Sequence, residues 1–273
     1  MLVTPEAIAR ETIDAALTAA GWVVQNVSDS NLYAGKGVAV REFPLPGYGE
    51  ADYLLFVDRQ AVGAVEAKKE GDTLSGVEIQ TAKYAEGLPA TMMAPVRPLP
   101  FLYESTGVET WFTNRLDPEP RSRRVFSFHQ PETFATWIAD RQRLGPENAT
   151  LRGRLRHLPP LVETGLWPAQ IEAVRSLERS LGQDRPRSLI QMATGSGKTF
   201  TAISAIYRMI KFGEATRVLV LVDRGNLGRQ TLKEFQTYVT PDDGRKFTEL
   251  YNVQHLTSNR IDPVNRVCIL TIQ

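Results

Sequence analysis

The chain has 273 residues, 42% hydrophobic and 23% charged, with a formal net charge of +1. That composition fits folded globular protein of about two domains and excludes a disordered chain; the near-neutral charge excludes a globally basic nucleic-acid binder, so any DNA surface has to be local. No apolar run reaches the ~18 residues of a membrane span, and the lone Cys268 rules out a disulfide framework within the chain, pointing to a reducing cytoplasm. His129, His157 and His255 are too scattered for a Cys/His zinc site, and the acid-bearing opening MLVTPEAIARETIDAAL does not read as a secretory signal.

In chain order, residues 5–20 are predicted as an amphipathic helix with Thr4 as N-cap and Pro5 at its first position. Strands are expected at 36–43, 51–57 and 61–68, then a helix over 75–87 ended by Gly87 and Pro89. A Pro- and Met-rich loop covers 88–100. PFLYES and VETWFTN read as a strand pair around Thr106-Gly107, RVFSF as a further short strand, and 131–143 as a helix opened by Pro131. Arginines cluster at 121–124, 141, 143, 152, 154 and 156. They form either a solvated face or linker, or a stripe that contacts phosphates.

Gly, Pro and Arg dominate 145–165, which marks a boundary: one domain over 1–150, a linker over 151–165, a second domain over 166–273. The second domain alternates helix and apolar strand: helix 168–182, strand 188–192, helix 198–211, strand 217–222, helix 227–238, strand 266–271. Short, nearly continuous apolar strands of this kind predict a parallel sheet covered on both faces. Cys268 sits in the last of them as a small core residue.

Met192-Ala193-Thr194-Gly195-Ser196-Gly197-Lys198-Thr199 follows the first of these strands and opens a helix. Gly195 and Gly197 let the backbone N–H groups turn inward on phosphates, and the helix start adds its dipole. Lys198 is placed to reach the β- and γ-phosphates of ATP, and the Thr199 hydroxyl to ligate Mg²⁺. Met192 departs from the usual Gly or Ala that opens such a loop.

The first domain offers a second constellation. If Asp58-Arg59-Gln60 form a three-residue turn, Val57 pairs with Ala61 and Asp52 falls directly opposite Glu66. Their Cβ atoms would then lie ~4.5–5.5 Å apart, with Lys68 on the same face. Two such carboxylates repel unless a cation lies between them, and Mg²⁺ suits the oxygen ligands. Asp52 and Glu66, with the Ala67 carbonyl as a possible third ligand, are the candidate metal ligands. Lys68 would orient a water or stabilise developing charge on a phosphodiester.

These two motifs, in this order, resemble the nuclease-and-motor subunit of type I restriction enzymes. Asp52, Glu66 and Lys68 resemble the PD-(D/E)xK nucleases, which implies a restriction-endonuclease-like αβββαβ domain. Gln80-Thr81-Ala82-Lys83-Tyr84 matches the Q-x-x-x-Y motif of type I motor subunits and RecB-like nucleases. Spacing i, i+4 puts Gln80 and Tyr84 on one helical face, and the resemblance assigns both to the DNA-facing rim. REFPLPGYGEADYLLF, PLPFLYESTGVETWFTN and FSFHQPETFATW also look like this family. The loop at 192–199 resembles the first motif of superfamily-2 helicases, which implies a partial RecA-like domain. By the same resemblance Gln170, in Leu166-Trp167-Pro168-Ala169-Gln170, recognises adenine. Arg224 and Gln230, in VLVLVDRGNLGRQ, become candidate DNA-backbone contacts, with Thr271 a further one.

The resemblance implies Mg²⁺ and ATP as cofactors. It implies double-stranded DNA, a methyltransferase subunit and a specificity subunit as partners, with no membrane. Related nucleases also place an acid on the first helix, so Glu6 or Glu11 could approach the metal. The sequence reaches Gln273 with no DExx-type acidic motif and no second RecA-like domain. ATP turnover by this chain alone is therefore not expected. An autonomous defence or repair nuclease-translocase, or a silent fragment that binds DNA or nucleotide without chemistry, are the other readings.

Overall fold

The structure is a computed structural model that describes residues 5–71, 84, 86–185, 187–258 and 260–272. The chain divides into two units, Met1–Thr150 and Leu151–Gln273, both of mixed α/β architecture. Among the described residues no helix is long and apolar enough to cross a membrane.

The first unit contains α1 (Pro5–Ala19), β1 (Val23–Asn26), β2 (Gly37–Leu45), β3 (Gly49–Val57), β4 (Gln60–Ala67), β5 (Phe101–Ser105), β6 (Thr110–Asn114), β7 (Arg123–Val125) and α2 (Pro131–Leu144). The seven strands form one sheet in sequence order. β1/β2 and β4/β5 pair parallel and the other pairs are antiparallel. Alternation along the strands divides two cores. Tyr53, Leu55, Phe101 and Tyr103 face Ile13 and Leu17 of α1 and Phe134 of α2. Leu54, Phe56, Ala64 and Leu102 pack on the opposite face with Tyr84 and Leu88. α1 docks because Ala9, Ile13 and Leu17 recur every fourth residue and are all buried. Aromatic stacking of Phe101 on Phe134, with ring centroids 4.1 Å apart, seats α2. The expected helix 75–87 falls almost wholly outside the described residues, and β1 was not expected from the sequence.

The hairpin that orients the first site differs from expectation. The turn has two residues, Asp58 and Arg59, with φ of 46° and 68°, so Val57 pairs with Gln60 and Phe56 with Ala61. Left-handed backbone at both positions matches the twist of the flanking strands, which a longer loop would not require. A register shift between Leu55 and Phe56 then inserts one residue, so that Leu55 pairs with Gly63 and Tyr53 with Val65. One step beyond that last pair, the register brings Asp52 opposite Glu66. The turn is one residue shorter than expected, the bulge adds one back, and the two differences cancel. Gly63 is required here: a Cβ on it would meet the Phe101 carbonyl oxygen at 2.2 Å, which would push β4 off β5.

The second unit contains α3 (Leu151–Leu155), α4 (Pro168–Gly182), α5 (Lys198–Lys211), β8 (Val218–Val222), α6 (Gly225–Thr237), α7 (Phe247–Leu250), β9 (Val253–His255) and β10 (Val267–Thr271). Its strands form a parallel sheet ordered β8-β10-β9. The core gathers Ile203 and Tyr207 of α5, Phe235 of α6, Phe247 of α7, and Val267 and Ile269 of β10. Cys268 is buried with a free thiol.

Three expectations are corrected here. Residues 188–192 form no strand, and Leu189 is 92% exposed. An apolar run becomes a strand only where an edge is open to it, and hydrophobicity does not report that edge. β8 is not covered on both faces, since Leu219 and Leu221 are exposed. The segment 151–165, read as linker, opens with α3, which packs on α4.

Candidate active site and nucleotide loop

The ends of β3 and β4 bring Asp52, Glu66 and Lys68 together. Asp52 Oδ2 accepts the Ala67 N–H at 2.8 Å, which ties the carboxylate to the strand that carries Glu66. Lys68 Nζ donates to Glu66 Oε1 at 2.6 Å. Glu66 is 3% exposed, and among the described residues its buried Oε2 has no hydrogen-bond partner. Burial pushes the Glu66 carboxyl above its usual range; the bond from Lys68 pulls the other way, and the nearby Asp52 charge adds to the rise. Tyr84, buried on the same sheet face, lies near enough to Glu66 to oppose that rise as well. Gln80, its companion in the sequence motif, lies outside the described residues.

Three residues at this site escaped the sequence reading. Arg10 of α1 donates to Asp52 Oδ1 at 2.8 Å and to Glu42 Oε1 at 2.6 Å. Glu42 lies between the pairs Arg41–Tyr53 and Phe43–Ala51, so it stands opposite Asp52. Glu104 is the register partner of Glu66 on β5, is fully buried, and accepts from Ser122 Oγ at 3.3 Å. Glu42, Asp52, Glu66 and Glu104 therefore occupy one row across four adjacent strands. Among the described side chains, the α1 acid that reaches the sheet is Asp14, taken by Arg41 at 2.8 and 3.0 Å and by the Tyr53 hydroxyl at 2.9 Å. Glu11 is exposed, and the Glu6 side chain lies outside the described set.

Among the described residues, no group of three or more His, Cys, Asp or Glu is placed to hold one metal ion. A divalent cation here would therefore draw two carboxylates, Asp52 and Glu66, and fill its remaining positions with backbone or solvent oxygen. The buried, unpartnered Glu66 Oε2 fits that role. A carboxylate oxygen in this condition is costly unless a cation or proton meets it.

In the second unit the loop before α5 places Gly195 and Gly197 at φ 79° and 78°, a region glycine enters freely. Lys198 Nζ donates to the Ala193 carbonyl at 3.0 Å, and Ser196 Oγ donates to the same carbonyl at 2.6 Å. Gln170 is buried: its Oε1 accepts from the Trp167 N–H at 2.9 Å and its Nε2 donates to the Ser196 carbonyl at 3.3 Å. Gln170 is thus wedged between the start of α4 and the loop. Thr194 is exposed and Thr199 half-buried. Arg224 caps the start of α6 and lies 3.7 Å from Asp223, both exposed, and Gln230 donates to Glu234 at 3.2 Å. In the arginine cluster, Arg121, Arg123, Arg124, Arg143 and Arg152 each pair with an acid of their own unit. That favours the solvated face over the phosphate stripe.

Comparison with known proteins places two family models on the chain. The model described as "Type III restriction enzyme, res subunit" matches residues 163–273, and "Type I restriction enzyme EcoKI endonuclease subunit second domain" matches 28–98. The type I restriction enzyme EcoKI endonuclease subunit of Escherichia coli K12 is 26% identical over 97% of this chain and 26% of its own length. The EcoAI endonuclease subunit of Escherichia coli is 34% identical over 31% of this chain and 11% of its own length. This chain thus spans about a quarter of the EcoKI subunit. A solved fragment of a putative HsdR subunit of a type I restriction enzyme from Vibrio vulnificus YJ016 aligns at 18% identity and a TM-score of 0.34. That alignment covers 96% of this chain and 46% of the fragment.

Proposed function

This chain is a relative of the endonuclease subunits of type I restriction enzymes, and on that premise we propose that its first 150 residues are a Mg²⁺-dependent DNA nuclease domain of the PD-(D/E)xK kind. Residues 166–273 then belong to a RecA-like, ATP-driven translocase domain. The observation that carries the first half is the convergence of Asp52, Glu66 and Lys68, with one buried Glu66 oxygen left unpartnered.

Asp52 and Glu66 would hold Mg²⁺, which supplies Lewis-acid polarisation of a phosphodiester and a more acidic water. The chain's own groups do the rest. The Ala67 N–H fixes the rotation of the Asp52 carboxylate. The bond from Lys68 opposes the burial that raises the Glu66 carboxyl, and the Lys68 ammonium would donate to a phosphodiester oxygen as negative charge builds there. In the second unit, Lys198 would exchange the Ala193 carbonyl for nucleotide phosphates, with Ser196 and the loop N–H groups completing the cradle. Duplex DNA is the substrate in this reading. A specificity subunit reads the sequence and a methyltransferase subunit modifies it, and the setting is the cytoplasm.

The test is cleavage of supercoiled plasmid with Mg²⁺ by the complex assembled on the full-length subunit. Glu66→Ala and Lys68→Ala should each lower cutting by at least ~100-fold, the scale on which removing one group of such a site acts. Cutting by Glu66→Ala at the unsubstituted rate would defeat the proposal.

A further inference from the structure

Asp52 has two carboxylate oxygens, and both are engaged. Oδ2 takes the Ala67 N–H at 2.8 Å, a contact between neighbouring strands that orients the group. Oδ1 is the oxygen left for a cation, and the Arg10 guanidinium sits on it at 2.8 Å. The other Arg10 terminal nitrogen is held by Glu42 Oε1 at 2.6 Å. Glu42 reaches that position from a backbone φ of +51°, where L side chains are rarely found. Strain of this sort persists where the surroundings hold it.

Arg10 is not needed to dock its helix. α1 is already seated by buried Ala9, Ile13 and Leu17 and by Asp14, which binds Arg41 and Tyr53. Its side chain is 41% exposed, so packing does not lock the guanidinium in place. A guanidinium and a divalent ion compete for Oδ1, because both are cations and repel each other at contact distance.

We propose that Arg10 is a placeholder cation, which holds Asp52 Oδ1 before the divalent ion binds, yields that oxygen to it, and stays anchored on Glu42 as it moves. The proposal rests on the nuclease reading above and makes Arg10 and Glu42 positioning residues that set divalent-ion affinity. Arg10 neutralises Asp52 in the apo protein and lowers its affinity for metal by competing for it. Glu42 offsets part of that competition by giving the guanidinium a second partner.

Mn²⁺ binding to the chain, followed by electron paramagnetic resonance and calorimetry without DNA, reads this directly. Arg10→Ala should tighten Mn²⁺ binding about tenfold, the order given by one unit charge near a divalent ion in a water-like dielectric. Glu42→Gln should weaken it several-fold in the presence of Arg10. In the Arg10→Ala background the same change should have little effect, because its action runs through Arg10. Arg10→Gln, which keeps a polar stem, should behave as Arg10→Ala and serves if the alanine variant folds poorly by circular dichroism. Unchanged or weaker binding in both Arg10 variants overturns the proposal, as does a Glu42→Gln effect that persists without Arg10. If Glu66→Gln binds Mn²⁺ as tightly as the unsubstituted chain, the metal-site reading itself fails, and this inference falls with it.

Discussion

The two candidate sites are built in opposite ways. In the first unit the polar groups come from α1, β2, β3, β4 and β5, and the charges are interlocked, from exposed Glu42 to buried Glu66 and Glu104. In the second, the groups lie consecutively in one loop, and the key lysine is exposed and bonds its own loop's carbonyls. A site assembled by a sheet is preorganised, and it depends on register and on which charges offset one another. A contiguous loop needs only its glycines and the helix that follows. Substitutions in the sheet site should therefore change the stability of the apo protein, while substitutions in the loop should change ligand binding alone.

The largest expected effect lies on the loop side of this contrast. Lys198→Ala removes a charge that would make charge-assisted bonds to phosphate, worth about 1.5–3 kcal/mol. ATP affinity, measured by calorimetry, should fall about tenfold to a hundredfold. Melting without nucleotide should not move, because in the apo protein Lys198 bonds only carbonyls that water also reaches. A fall of several degrees in the nucleotide-free melting temperature would erase the contrast, since it would make Lys198 structural.

The sheet side is sharpened by Glu66→Gln. The folded-state pKa of Glu66 is raised, chiefly by burial. A raised carboxyl favours the folded state while it is protonated, below the ordinary glutamate range, and that contribution is lost as pH rises through the folded value. Gln mimics the protonated form, so Glu66→Gln should stabilise the metal-free chain at neutral pH. The gain should shrink as pH falls through the raised folded value and be gone below the ordinary glutamate range, where Glu66 is protonated in both states. Divalent-ion binding should be lost in the same variant. A destabilised Glu66→Gln at pH 7 would mean that the Lys68 pair outweighs the burial penalty.

The same contrast governs how much could be read before the fold was seen. The loop at 192–199 was legible because its chemistry is written consecutively, and α4 and α5 were legible because their apolar spacing is helical. The opposition of Asp52 and Glu66 was reached through a turn one residue too long, and a bulge that no sequence rule signalled put it right. Arg10, Glu42 and Glu104 were not legible. Finding them needs the docking of α1, the β2/β3 register and the parallel β4/β5 pairing, all of them contacts between distant residues. Glu104 left one clue, a charge inside the apolar strand FLYES. The run 188–192 misled because apolarity marks what can be buried and carries no record of which strand edge is free.

The smallest expected effect concerns the exposed leucines of β8. Leu221 is 58% exposed, whereas Ile269 on the adjacent strand β10 is fully buried. Ile269→Ala should cost about 2–5 kcal/mol, as core truncations do. Leu221→Lys should stay within about 0.5 kcal/mol, since it removes little buried area and a lysine stem can lie along the sheet. Chemical denaturation of the two variants measures the difference. A loss of 2 kcal/mol or more for Leu221→Lys would show that this face of β8 is covered in solution. The exposed apolar run 188–192 would then be the first candidate for the cover, which would restore the sheet that the sequence pattern led one to expect.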